Sequence, residues 1–284
     1  MKIFVVGAGT MGSGIAQAFL QNEGIEVWLC DQKDEFVNNG IKKIEHGFSL
    51  LLKKERITQE QRDERMSYLH PTTNYEDAAD ADLVIEAIYE NMEAKRDIFS
   101  QLDVICKDET IFASNTSALS ITEMAAGFKH AGNFCGMHFF NPAPVMKLVE
   151  IILGFLTTDE TKERVLDIAK KIGKEPVTIK EAPGFIVNRI LMPMLNEACE
   201  ILREGIASAE DIDKAMRLGA SHSMGPLATA DLVGNDITLH IMETLLEETG
   251  DPKYRPSILL KQMVRANQLG RKTGKGFFEY PENK

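Results

Sequence analysis

Residues 2–6, KIFVV, form an apolar, β-rich run that stops at GAGTMGSG, after which apolar positions recur three and four apart at Ile15, Ala18 and Phe19. The run predicts a buried strand, and the spacing predicts a helix that starts within the glycines. EVWLCD then predicts a second strand ending in Asp31. Residues 35–68 are polar overall, but Phe36, Ile41, Ile44, Phe48, Leu51 and Leu52 keep a helical spacing, the pattern of a helical pair inserted between strands. DLVIEAI (82–88), TIFASN (110–115), NFCGMHF (133–139), LVEIILG (148–154) and EPVTIK (175–180) predict further strands, with the helix MEAKRDIFSQLDVIC between the first two. Such alternation implies an α/β domain with a mostly parallel sheet. After Pro183-Gly184 the pattern changes to FIVNRILMPMLNEACEILREG, apolar at helical spacing, and no further strand is predicted. The expected organisation is an α/β domain over 1–184 and an all-helical domain over 185–284. The amphipathic helices of the second domain can bury a face against another copy, so a homodimer through this domain is expected.

The opening run, followed by AQA at 16–18, also invites comparison with a secretory signal. The glycines break the apolar block too early for that, and the run is too short for a membrane span, which needs about 20 mostly apolar residues. A cytoplasmic protein without a membrane segment is expected. The formal net charge of −11 excludes the broad positive field that nucleic acid would require, so an anionic ligand must find a local basic patch. Cys30, Cys106, Cys135 and Cys199 are widely spaced, which argues against a zinc site or a disulfide framework, and no metal is expected. Cys30 and Cys135 lie in apolar runs and read as small buried hydrophobes.

The glycines carry the first chemistry. Gly7, Gly9 and Gly12 make G-x-G-x-x-G between a predicted strand and a predicted helix. The first permits a tight turn, the second lets a pyrophosphate approach the backbone, and the third lets helix pack on strand. The helix start then offers its N–H groups to phosphate. Asp31, nineteen residues after Gly12, stands where an acid meets the adenosine ribose and repels a 2′-phosphate, which favours NAD over NADP. This context identifies a Rossmann-type dinucleotide-binding domain. His138 at the end of one predicted strand and Glu150 in the next could form a proton-transferring pair, although a histidine at a strand end is also a common structural residue. Asn115 and Ser117 in SNTSALSIT follow a strand, where ligands bind in open α/β sheets; the same residue types also cap helices and make turns. Asn188 in PGFIVNR opens the boundary helix, as a ligand contact or an ordinary helix-start residue.

GAGTMGSGIA, IFASNTSALSIT, HFFNPAPVMKLVEI, PGFIVNRI, DIDKAMRLGA, MGPLATADLVG and GRKTGKGFFEY together resemble the short-chain L-3-hydroxyacyl-CoA dehydrogenases, particularly the bacterial 3-hydroxybutyryl-CoA branch, from Lys2 to about Tyr280. The resemblance implies NAD-linked interconversion of (S)-3-hydroxyacyl-CoA and 3-ketoacyl-CoA, here (S)-3-hydroxybutyryl-CoA and acetoacetyl-CoA, in butyrate or short-chain fatty acid metabolism. By the same resemblance His138 is the general acid/base, Glu150 orients it, and Ser117 and Asn188 hold the reacting oxygen or thioester. The matching cofactor positions are Gly7, Gly9, Thr10, Met11, Gly12, Asp31, Glu90, Lys95, Asn115, Ser117, Asn141 and Lys272. Lys54 in the inserted helical pair matches the family's CoA-binding basic residue, with Lys53 and Arg56 beside it; read from composition alone, KKER is a solvated helix face. The sequence departs from the family at Tyr89 and Ser223, where proline is usual. Two alternatives stay open: a dehydrogenase of the same fold acting on a free hydroxy acid such as gulonate, for which the Lys54 insertion has less purpose, and a non-catalytic NAD-binding module, which needs no His138–Glu150 relay.

Overall fold

The computed structural model describes residues 1–281. The chain divides into two compact units, Met1–Ala182 and Pro183–Lys284.

The first unit is α/β. Its elements in chain order are β1 (Lys2–Val6), α1 (Thr10–Leu20), β2 (Glu26–Cys30), α2 (Asp34–Lys53), α3 (Gln59–Ser67), β3 (Leu69–Thr72), β4 (Leu83–Glu86), α4 (Met92–Ile105), β5 (Ile111–Ser114), α5 (Ile121–Ala125), β6 (Phe134–Phe139), β7 (Leu148–Leu153), α6 (Asp159–Lys171) and β8 (Glu175–Lys180). Among the described residues the strands form one sheet in the order β3-β2-β1-β4-β5-β6-β7-β8. Neighbouring strands run parallel except β6 and β7, which are antiparallel. β1, β4 and β5 are buried on both faces, so they read as continuous apolar runs rather than alternating ones. Their side chains join Ile15 and Phe19 of α1 and Ile44 and Phe48 of α2 in the core. The strand order reverses at β1 and β4, so the connections leaving their paired C-terminal ends run in opposite directions and open a crevice for ligand.

α2 and α3 are the inserted helical pair. α3 starts at a capping box in which the Gln61 amide donates to Thr58 Oγ1 at 3.2 Å and the Thr58 amide donates to Gln61 Oε1 at 3.0 Å. β3 has no counterpart in the predicted pattern. It is a four-residue edge strand, LHPT, containing Pro71. Proline is tolerated there because an edge strand has one side free of ladder bonds.

The second unit is helical: α7 (Val187–Arg203), α8 (Ala209–Gly219), α9 (Pro226–Val233), α10 (Asn235–Thr249) and α11 (Ile258–Arg265). Met192, Leu195, Ile241, Met242, Leu245 and Tyr254 are packed at its centre. Two buried aspartates tie its ends. Asp213 accepts the Leu227 and Ala228 amides at 2.8 and 2.9 Å, capping α9 from outside. Asp231 accepts the Phe277 and Phe278 amides and the Tyr280 hydroxyl, at 2.9 to 3.0 Å. That knot explains the GRKTGKGFFEY motif as an anchor for the chain's last described segment. No helix among the described residues is long and apolar enough to cross a membrane.

Candidate active site

The glycine turn after β1 has the geometry that its spacing implies. Gly7 adopts φ +101°, and a Cβ there would stand 2.7 Å from the Ala87 carbonyl oxygen. A Cβ on Gly12 would overlap the Gly7 carbonyl, so α1 packs on the turn through bare backbone. Gly9 is the reverse case: a Cβ there meets no protein atom within 4 Å, because its face is open for ligand. Gly9 also caps α1 without a side-chain bond, and Thr10, Met11 and Gly12 form the first turn. Their N–H groups and the helix dipole suit a pyrophosphate.

Asp31 follows β2. Its Oδ2 accepts the Ala8 amide at 2.7 Å and its Oδ1 accepts the Gln32 amide at 2.7 Å. The carboxylate therefore fixes the glycine turn, and each oxygen keeps a second acceptor site for a ribose hydroxyl. A cleft of about 550 Å³ opens here, lined by Gly9, Asp31, Gln32, Tyr75, Ile88 and Asp97 among others. Neither Lys nor Arg occurs among its described lining residues. Burial, reinforced by Asp31, pushes the Cys30 thiol up to about 12, and burial pushes the Tyr75 hydroxyl up to about 12. Both stay neutral near pH 7, so Cys30 is a packing residue and the cleft's charge comes from its carboxylates.

At the ends of β4 and β5 lies a buried polar cluster. Lys95 Nζ donates to Glu86 Oε1 at 2.6 Å and pairs with Glu90 Oε2 at 3.3 Å. Glu90 Oε1 accepts the Thr116 hydroxyl at 2.5 Å and the Ser117 and Ala118 amides at 2.8 and 3.2 Å. Glu90 and Lys95 thus hold the turn that carries Ser117. Asn115 Oδ1 accepts the Phe139 amide at 2.8 Å, tying β5 to the strand that bears His138.

His138 and Glu150 face each other across the antiparallel β6–β7 register. His138 Nδ1 is 2.8 Å from Glu150 Oε2, and both side chains are buried. The buried carboxylate accepts a hydrogen bond from Nδ1–H, which selects the tautomer that leaves Nε2 free to take a proton. The ring of Phe140 lies against the imidazole, 4.6 Å between centroids. The loop from β6 to β7 begins at Phe140 and Asn141, and Lys174 clamps it by donating to the Ala143 and Met146 carbonyls at 2.6 and 2.8 Å. Burial lowers the pKa of Lys174.

The first unit therefore brings together the glycine turn, Asp31, Glu90, Lys95, Asn115, Ser117, His138 and Glu150 along the C-terminal side of its sheet. Lys54 is exposed just after α2, beside Lys53 and Arg56. Asn188 and Lys272 belong to the second unit. Asn188 is buried in the first turn of α7, and Lys272 pairs with Asp236 at 2.6 Å. Glu86, Ser114, Thr116 and Lys174 join the site without a sequence motif that marks them. Glu86 had a signal, an acid inside the apolar run DLVIEAI; Ser114 and Thr116 resemble any strand-end hydroxyls.

Comparison with known proteins agrees with this geometry. Residues 2–182 match the model of the 3-hydroxyacyl-CoA dehydrogenase NAD binding domain, and residues 184–280 match that of the 3-hydroxyacyl-CoA dehydrogenase C-terminal domain. The chain is 50% identical over 280 residues to a 3-hydroxybutyryl-CoA dehydrogenase of Clostridioides difficile, covering 99% of each chain. It is 41% identical over 285 residues to human mitochondrial hydroxyacyl-coenzyme A dehydrogenase, covering 98% of this chain and 90% of that protein. The crystal structure of (S)-3-hydroxybutyryl-CoA dehydrogenase PaaH1 from Ralstonia eutropha superposes with a TM-score of 0.95 at 47% identity, covering 99% of both chains.

Proposed function

The chain belongs to the 3-hydroxyacyl-CoA dehydrogenase family, and from that premise we propose that it interconverts (S)-3-hydroxybutyryl-CoA and acetoacetyl-CoA with NAD as the redox partner. The observation that carries the reading is the buried His138–Glu150 pair, 2.8 Å apart, on the same C-terminal side of the sheet as the dinucleotide cradle. Neither a sensor nor a structural NAD-binding module has a use for it.

When bound, NAD⁺ supplies the acceptor for the hydride that leaves carbon 3. His138 Nε2 takes the proton of the 3-hydroxyl as the carbonyl forms, and returns it in the reverse direction. Glu150 stabilises the imidazolium that results and holds the ring in place. Ser117 holds the reacting oxygen or thioester, the role that the resemblance also gives Asn188, and the side-chain NH₂ of Asn115 is a further donor at the strand end. The resemblance also gives Glu90, Lys95, Asn141 and Lys272 to the cofactor side; Lys95, its ammonium buried against Glu86 and Glu90, acts there through Glu90. The test is stereochemical: with NAD⁺, the (S)-3-hydroxybutyryl thioester is oxidised and the (R) form is not. Equal oxidation of both would refute the assignment of one base on one face.

Asp31 supports a preference for NAD over NADP, because the cleft offers a 2′-phosphate a carboxylate and no cation. Asp31→Ser is expected to narrow the preference for NADH over NADPH by about 10- to 100-fold, the worth of a charged hydrogen bond pair gained or lost. The readout is the ratio of kcat/KM for the two cofactors, and a wild type that already prefers NADPH would contradict the reading.

Lys54 and its basic neighbours support capture of the CoA phosphates on an otherwise acidic protein. Lys54→Ala is expected to raise KM for acetoacetyl-CoA roughly three- to tenfold at low salt, less at high salt, with KM for NADH unchanged. Equal changes in both KM values would remove Lys54 from CoA binding. The second unit leaves Ile190, Leu218 and Ile258 largely exposed, apolar surface that supports a homodimer through this unit. Light scattering would report twice the 31.7 kDa chain mass.

A further inference from the structure

Glu86 is fully buried at the end of β4, and the chemistry above assigns it nothing. Both of its oxygens are engaged. Oε1 accepts from Lys95 Nζ and from the Ile88 amide, each at 2.6 Å, and Oε2 accepts the Ser114 hydroxyl at 2.7 Å. Two routes lead from it to the 116–118 turn. One runs through Lys95 to Glu90, which accepts the Ser117 amide. The other runs through Ser114 Oγ, which accepts the Thr116 amide at 3.2 Å.

Hydrogen bonding alone does not require a carboxylate here. A glutamine at 86 could accept from Lys95 and Ile88 through its oxygen and offer its NH₂ to Ser114. Glu90 by itself would neutralise Lys95. Counted formally, the cluster instead holds two carboxylates against one ammonium, a net charge of −1, and Glu86 and Lys95 sit where desolvation makes charge costly. Its position gives that charge a purpose. β4 and β5 lie between β1, with the phosphate turn, and β6, with His138. A dinucleotide with its adenosine end at Asp31 and its pyrophosphate at α1 has its nicotinamide half over this cluster. The oxidised nicotinamide ring is a cation and the reduced ring is neutral.

We propose that Glu86 is a positioning residue of the nicotinamide half of the site: through Lys95 and Ser114 it fixes the turn that carries Ser117, and the net negative charge it gives the cluster favours the oxidised cofactor. The inference rests on the reading of this chain as an NAD-dependent enzyme. The experiment is binding of NAD⁺ and of NADH, each alone, to the wild type, Glu86→Gln and Glu86→Asp, by calorimetry and NADH fluorescence, with folding checked by circular dichroism. Glu86→Gln keeps the shape and removes the charge, so the ratio Kd(NAD⁺)/Kd(NADH) is expected to rise roughly tenfold, the effect of one charge at about 10 Å and an effective dielectric of about 20. Glu86→Asp keeps the charge, and its ratio stays within about twofold of wild type. An unchanged ratio in folded Glu86→Gln overturns the proposal. If Glu86→Gln does not fold, Glu86→Asp decides: a retained ratio supports the charge role, and a tenfold displacement despite the retained charge overturns it. A wild type that binds neither cofactor would remove the NAD reading itself, before any variant is compared.

Discussion

Replacing His138 by glutamine is expected to slow turnover by about 10²–10⁴-fold, the contribution of a positioned general acid/base, while NADH binding stays close to wild type. The two effects separate because the residues do. The adenosine and phosphate contacts proposed above are at the glycine turn, Asp31 and α1, and His138 belongs to none of these elements. Glutamine fits the space and can still donate toward Glu150, so the buried carboxylate keeps a partner and the fold keeps its β6–β7 register. It cannot take up a proton near neutral pH. The measurement is steady-state kcat with acetoacetyl-CoA beside the Kd for NADH. Near-normal turnover would remove His138 from proton transfer. A lost Kd with lost turnover would make it a structural residue.

The second large effect is a contrast between two glycines. Gly12→Ala places a Cβ on the Gly7 carbonyl, backbone against backbone, with no side chain able to yield. α1 must move, and overpacking of this kind costs about 1–3 kcal/mol. Both Tm and NADH binding are expected to fall, binding by about 10- to 100-fold once the helix start leaves the phosphates. Gly9→Ala meets no protein atom within 4 Å, and its φ of −67° is ordinary for alanine. It should leave Tm unchanged and weaken NADH alone, because the added methyl stands where the pyrophosphate approaches. A Gly9→Ala variant that binds NADH normally would move the phosphates away from this turn.

The cofactor cradle was legible in the sequence because strand, glycines, helix and acid are consecutive, and each glycine has its own steric reason. The pair proposed for proton transfer is legible only as two residue types twelve apart. Their meeting depends on the β6–β7 pair being antiparallel, with His138 opposite Glu150, in a sheet that is otherwise parallel as the alternation of elements implies. The loop of residues 140–147 that allows the reversal has no periodicity to read. β3 is hidden in the sequence for a simpler reason: four half-polar residues with a proline make a weak strand signal, and only pairing with β2 gives them their form. Polar residues that act through others were the hardest to see. Glu86 shows as a charge in a buried strand, but its partners Lys95 and Ser114 lie on different elements, nine and twenty-eight residues away. Lys174 looks like one more surface lysine after a helix until its ammonium is found among the carbonyls of the Asn141 loop.

The most direct test of the central claim is NADH consumption at 340 nm with acetoacetyl-CoA, run beside free acetoacetate at matched concentration. Rapid turnover of the thioester and none of the free acid is the predicted result, since His138, the NAD cradle and the basic end of α2 are then all used. Turnover confined to the free acid would contradict the account and transfer the chain to hydroxy-acid chemistry.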